Sequence, residues 1–374
     1  MKRVKRILGI LAVNALVLAA GIVAAELLFG GWLDARQVNR LNLIKDQVRN
    51  NDVSRLYQSE KPLITYSRDR YGLRGGHTSP GGIRILTVGG SSTDQRYIGD
   101  GETWQDVLQR RFEQAGLKVA VANAGVDGQS TFGHIANFKW WFPEIPGLAP
   151  KFILFYIGIN DFHIDAAERF DRLVSGGGKP GIAERIRDNS AIWNLYKTLR
   201  GIYKALVVSR VGHQRVKFDE IRWAHDPVQK DYGFMAPRLD TYASRLRLLA
   251  DLTFQMGATP IFVSQPTRHY RVTSRGIEGW ADATPYDDRS INGIDVFHMM
   301  RKLDGVARSV AIEKGAVFVD LASRTEWVDF DFYDFVHMTP QGAAKVGLFL
   351  YEALKENVAP ERKPIPRRNA GNGR

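Results

Sequence analysis

The stretch Ile83-Arg84-Ile85-Leu86-Thr87-Val88-Gly89-Gly90-Ser91-Ser92-Thr93 decides how this chain is read. Ile83 to Val88 is a short β-rich apolar run, and such runs bounded by glycine predict a strand. The Gly-Gly pair after it makes a turn that lets a serine side chain point out at the sheet edge. A hydroxyl there is a candidate nucleophile, and spacing alone does not choose between Ser91 and Ser92. In isolation the same residues also suit an ordinary turn or helix N-cap.

Working outward, strands and helices alternate. Thr103 to Ala115 has Trp104, Val107, Leu108, Arg111 and Phe112 at helical spacing. Val119 to Ala122 and Phe152 to Ile157 are the next predicted strands. Arg238 to Met256 is an amphipathic helix stopped by Gly257, and Thr259 to Ser264 a fourth strand. Asn292 to Lys314 is a long helix stopped by Gly315, Val317 to Leu321 a fifth strand, and Gln341 to Lys355 a last helix with Pro340 at its start. Continuous apolar strands separated by helices predict a parallel sheet covered on both faces. Right-handed crossovers make it a doubly wound three-layer α/β/α sandwich of five parallel strands, with its site beyond the carboxyl ends of the strands.

Three further blocks fall at that edge. Asn123-Ala124-Gly125-Val126-Asp127-Gly128 follows the second strand and Gly158-Ile159-Asn160-Asp161 the third. Asp334-Phe335-Val336-His337 precedes the last helix. A serine needs a base, and the base needs an orienting acceptor. In a turn, the Asp-x-x-His spacing puts both side chains on one side of the chain. Asp334 can then fix the tautomer of His337, which takes the serine proton. Acyl transfer also needs donors to a developing oxyanion. Gly128 offers a backbone N–H, Asn160 a side-chain amide, and Ser91 its own N–H. Each block has a bland alternative: a turn glycine, an Asx turn, a surface pair.

The ordered set resembles the SGNH, or GDSL-type, hydrolase superfamily, named for Ser, Gly, Asn and His in four blocks. The resemblance covers roughly Arg84 to Leu350. It implies a flavodoxin-like fold, Ser91 rather than Ser92 as nucleophile, Asp334 and His337 as acid and base, and Ser91, Gly128 and Asn160 as oxyanion donors. It implies no metal and no organic cofactor. Gly90 stands where the family name has Asp, which removes a carboxylate able to brace the turn. Asp161 is read as a cap or brace of its loop.

The chain has 374 residues, 44% apolar and 25% charged, ordinary for a globular protein. It has no cysteine, so disulfides, thiolate metal sites and a Cys nucleophile are excluded. The net charge of +12 is concentrated at the ends: residues 1–6 and the tail from Pro360 carry +4 each. A basic groove for nucleic acid is therefore not indicated. Ile7 to Ala25 is a charge-free run of 19 residues interrupted only by Asn14. With Lys2, Arg3, Lys5 and Arg6 before it, the run predicts a single-pass anchor with the rest exported to the periplasmic side. A cleaved signal peptide ending near Val23-Ala24-Ala25 is the alternative.

The expected organisation is therefore a basic stub and transmembrane anchor over 1–33 and a stalk and lead-in over 34–80, with an amphipathic helix around Leu41 to Val48. The hydrolase domain follows over 81–358, and a basic tail over 359–374. A helical insertion over 163–232 carries apolar residues at helical spacing and the basic residues Lys197, Arg200, Lys204 and Arg210. It reads as a packed subdomain, or as a lid or membrane-apposed surface. The functional expectation is an extracytoplasmic serine esterase acting on an ester, such as an O-acetyl group of a polysaccharide or a lipid ester. An O-acyltransferase delivering acetyl to a glycan, and a non-catalytic glycan- or envelope-binding module, are the alternatives.

Overall fold

The computed structural model describes residues 2–30, 32, 41, 43–77, 79–163, 189–193, 195, 196, 199 and 213–358. Helix α1 (Lys2–Phe29) is exposed along its apolar length. It is long and apolar enough to cross a membrane, a test that a signal sequence also passes. Near its end Glu26 accepts hydrogen bonds from Ser190 Oγ at 2.6 Å and the Ala191 N–H at 2.9 Å. Most of the predicted insertion, including Lys197, Arg200, Lys204 and Arg210, lies outside the described residues, as does the tail from residue 359.

Strands β1 (Gln47–Asp52) and β2 (Leu63–Arg68) form an antiparallel hairpin. This differs from the expected helix around Leu41 to Val48. The helical spacing there is short, and the pairing of Gln47 to Asp52 with β2 overrides it. The hairpin is not a free stalk, because Ile64, Tyr66 and Arg68 on alternate positions of β2 are buried against the domain.

The sheet is built from β3 (Ile83–Gly89), β4 (Ala120–Gly125), β5 (Phe152–Ile157) and, after the short β6 (Trp223–Ala224), β7 (Thr259–Ser264). Two small antiparallel units follow. Strand β9 (Gly276–Trp280) pairs with β6 on one side and with β8 (Tyr270–Thr273) on the other, and β10 (Thr284–Tyr286) pairs with β11 (Arg289–Ile291). Strand β12 (Val317–Val319) completes the five-stranded parallel sheet, in the order β12-β7-β5-β3-β4. This is the predicted fold class, with strand order 2-1-3-4-5. Its topological switch point lies between β3 and β5, where such sheets place their ligands. Register brings Gly89 of β3 level with Gly125 of β4 and Tyr156 of β5, so the segments that follow emerge in one row.

Alternation along the strands feeds two cores. Leu86, Val88, Ile153, Phe155 and Phe262 face helices α4 (Thr131–Trp140), α6 (Ala236–Gln255) and α7 (Gly293–Lys314). Ile85, Val121, Leu154, Tyr156 and Ile261 face α3 (Trp104–Gln114) and α9 (Pro340–Val358). Capping boxes start two of these helices, Thr103 with Asp106 and Asn292 with Asp295, each satisfying N–H groups that the helix leaves open. The short helices α2 (Ser91–Asp94), α5 (Ile159–His163) and α8 (Leu321–Arg324) start directly at strand ends.

Candidate active site

All five predicted site residues lie on segments that follow the carboxyl ends of β3, β4 and β5 or precede α9. Ser91 is the first residue of α2. His337 Nε2 lies 2.7 Å from Ser91 Oγ, and His337 Nδ1 lies 2.7 Å from Asp334 Oδ2. The other Asp334 oxygen accepts the N–H groups of Val336 at 2.8 Å and His337 at 2.6 Å. The three-residue spacing therefore closes a tight turn that fixes both side chains. Burial alone would raise the Asp334 carboxyl, but His337 and the two backbone N–H groups outweigh it and hold the pKa below the ordinary range. This makes Asp334 the acceptor and Nδ1 the protonated nitrogen, leaving Nε2 toward the serine.

The neighbouring serine is committed elsewhere. Ser92 is buried, and its Oγ accepts from Gln265 Nε2 at 2.8 Å. The same Gln265 accepts the Ile159 N–H, joining the ends of β3, β5 and β7.

Asn160 Nδ2 donates to the Gln129 carbonyl at 2.6 Å. That bond fixes the amide's orientation and leaves its second N–H for another acceptor. Gly128 sits on the exposed rim after β4 with φ +76°, a left-handed turn that suits glycine. Gly90 is required for a different reason: its φ is −87°, but an added Cβ would sit 2.1 Å from Asn160 Nδ2 and 3.0 Å from the Gln129 carbonyl oxygen. The aspartate of the family pattern would collide here with the amide. Asp161 is fully buried and accepts from Thr131 Oγ at 2.5 Å and from Arg245 at 3.3 Å. It ties α5 to α4 and so holds Asn160 in place, the bracing role its position suggested.

Sequence reading missed two parts of this region. The first comes from the N-terminal hairpin. Arg68 is buried and donates to Asp94 Oδ1 at 2.5 Å, to the Gly125 carbonyl at 2.6 Å, to the Gly72 carbonyl at 2.6 Å and to Tyr66 Oη at 2.8 Å. Arg74 donates to the carbonyls of Asp94, Gln95 and Ile98. Two arginines thus clamp the helix that carries Ser91 and the residue that ends it. Gln95 has φ +50°, uncommon for a residue with a Cβ. Its carbonyl is held by Arg74 and its side chain by the Trp104 N–H. The second missed part is His213, whose ring lies 4.2 Å from that of His337 and whose Nδ1 is 2.7 Å from Tyr333 Oη. Burial, with His337 adding to it, lowers the His213 pKa to about 4, so it is neutral near pH 7. Neither an arginine in a polar lead-in nor a lone histidine in an insertion has a local pattern that would mark it.

Among the described residues, His213, Asp334 and His337 also bring three potential metal-ligand atoms within 4.8 Å of one another. Two of those groups are already engaged in the Ser91–His337–Asp334 chain, which their hydrogen bonds account for.

A model of the GDSL-like lipase/acylhydrolase family matches residues 87–345, well over half of the chain. No curated protein matches it. Among solved structures, TesA aligns at 14% identity and a TM-score of 0.39, covering 73% of this chain and 98% of its own. A GDSL-like lipase from Parabacteroides merdae aligns at 14% identity and a TM-score of 0.41, covering 75% of this chain and 99% of its own. A mutant of Axe2, an acetylxylan esterase from Geobacillus stearothermophilus, aligns at 15% identity and a TM-score of 0.40, covering 75% and 95%.

Proposed function

Because the chain belongs to the GDSL-like lipase/acylhydrolase family, and so to the carboxylic ester hydrolases, we propose that Ser91, His337 and Asp334 carry out its chemistry as nucleophile, base and orienting acid. The observation that carries this reading is the unbroken chain from Asp334 Oδ2 through His337 to Ser91 Oγ, both links 2.7 Å. Ser91 Oγ attacks the ester carbonyl carbon while His337 Nε2 takes its proton. Asp334 accepts from Nδ1–H and stabilises the imidazolium. The carbonyl oxygen becomes an oxyanion, received by the Ser91 and Gly128 N–H groups and the second N–H of Asn160. The tetrahedral adduct collapses by breaking the bond to the alkoxy oxygen, which leaves with the proton from His337. The acyl group stays on Ser91. Water, deprotonated by His337, attacks this acyl-enzyme, and the second adduct releases the carboxylic acid and the free serine.

The reading places this site outside the cytoplasm, supported by the basic residues Lys2, Arg3, Lys5 and Arg6 ahead of the apolar length of α1. The substrate class is an ester carried by a glycan or a lipid. The test is turnover of p-nitrophenyl acetate and labelling by a fluorophosphonate, with Ser91→Ala as the comparison. Labelling and turnover that vanish in Ser91→Ala support the reading. Equal turnover in both proteins removes Ser91 from the mechanism.

A further inference from the structure

A small space lined by Ser91 shares a wall with a larger one. One is a crevice of about 10 Å³ bounded by Ser91, His337, Tyr97, His213 and Tyr333. That is about the space of one water-sized sphere, close to a methyl group. The other is a cavity of about 190 Å³ bounded by Leu43, Ile44, Tyr66, Gly125 and Val126. Asp94, Arg96 and Asp127 line both spaces. Arg96 Nη2 lies 3.3 Å from Asp127 and 3.6 Å from Asp94, so the guanidinium is drawn to carboxylates on both β3-side and β4-side segments. Asp94 is itself fixed by Arg68. Among the described residues Arg96 Nε is buried with no partner, a cost that an arginine free to extend into water would avoid.

We propose that the Arg96–Asp127 pair is the partition that sets acyl length, limiting the site to acetyl esters by closing the crevice off from the larger cavity. The proposal rests on Ser91 being the nucleophile and names the acyl group that this nucleophile accepts. The acyl carbon is bonded to Ser91 Oγ in the intermediate, so its substituent must fit the space next to that atom. A methyl fits the crevice. The third and fourth carbons of a butanoyl chain need more room than the crevice gives, and in this proposal the Arg96 side chain is what denies it. Behind it, Leu43, Ile44 and Val126 give the cavity an apolar wall. The polar groups there, Arg68, Tyr66 and Asp94, bond one another. Without the partition, an acyl chain would find apolar surface to bury.

The test uses the full chain in detergent and p-nitrophenyl acetate, butyrate and hexanoate. Fluorophosphonate labelling counts the active sites in each protein. The wild-type protein is expected to prefer acetate strongly. Arg96→Ala is expected to raise the butyrate-to-acetate ratio of kcat/KM by about 15-fold, from about fourfold for each methylene buried. Refilling the cavity in Arg96→Ala/Leu43→Trp is expected to return the ratio toward wild type, which mere loosening of the site would not do. Wild-type protein that labels and turns over hexanoate as fast as acetate overturns the proposal and leaves the Ser91 reading standing. An unchanged ratio in labelled Arg96→Ala does the same. Failure of wild-type protein to label overturns the Ser91 reading, and the proposal with it.

Discussion

Replacing Arg68 by methionine tests whether the N-terminal hairpin belongs to the hydrolase unit. Methionine keeps much of the side-chain length and removes the charge and all five donors. The Arg68 and Asp94 side chains are 3% and 2% exposed, so the change leaves a carboxylate buried beside Tyr66 Oη, with Arg96 3.6 Å away. The carbonyls of Gly125 and Gly72 lose a donor as well. Breaking one side of a buried ion pair costs about 3–5 kcal/mol. For a domain of this size each kcal/mol moves the midpoint by about 2–4 °C, so Tm should fall by roughly 6–20 °C. Thermal unfolding followed by tryptophan fluorescence reads the shift, and fluorophosphonate labelling at 20 °C reads whether Ser91 stays reactive. Arg68→Met/Asp94→Asn removes the stranded charge and should recover at least about 1 kcal/mol relative to Arg68→Met, a coupling typical of direct partners. A loss below about 1 kcal/mol in the single variant, or strict additivity in the double, would refute the idea that this pair holds the helix that starts at Ser91.

Three further outcomes are expected. Asp334→Asn should fold as wild type but lower kcat by up to about 10⁴-fold, since the amide no longer selects the tautomer that leaves Nε2 free; steady-state kinetics at constant labelling-site concentration checks it. Gly90→Ala pushes a Cβ into the Asn160 amide and should lower kcat by about 10²–10³-fold, the loss of one oxyanion donor. In that case Gly90→Ala/Asn160→Ala should be no slower than Asn160→Ala alone, and a further drop would show that Gly90 acts some other way. The third outcome concerns Asp304, which burial raises to about 7 from an ordinary 3.8. It therefore binds a proton in the fold that it releases when unfolded, so its contribution is intact below pH 3.8 and lost as pH rises toward 7. Urea titrations should find Asp304→Asn more stable than wild type at pH 8 and no more stable at pH 4; the reverse order would contradict the assignment.

The parallel sheet and the four blocks were legible because both are local. Ile83 to Val88 and Phe152 to Ile157 are apolar on consecutive residues, which a strand covered on both faces permits. The blocks sit within six residues of a strand end or a helix start, so topology alone brings them to one edge. Asp334 and His337 face each other because they stand three positions apart across a tight turn. Choosing Ser91 over Ser92 needed family register. The physical reason is a contact 173 residues away, where Gln265 takes up the Ser92 hydroxyl. Gln47-Val48-Arg49-Asn50-Asn51-Asp52 has no apolar alternation, so nothing local announced β1. The antiparallel strands between Tyr270 and Ile291 are short, three to five residues each, and their signal does not rise above loop composition. The Gly90 departure from the family pattern made sense only when the Asn160 amide was found in the space a side chain would fill.

Ser91 and His337, whose atoms meet at 2.7 Å, are 246 positions apart in the chain. At a ribosomal rate of about 5–20 residues per second, Ser91 is polymerised about 12–50 s before His337 exists. The arginines that steady Ser91 are made earlier still, and β12, at the far edge of the sheet, comes only shortly before His337. An unfinished chain therefore carries the serine on its glycine turn without the histidine that meets it. If Ser91 and His337 act together as proposed, esterolysis waits until the C-terminal quarter of the chain has been made and folded back.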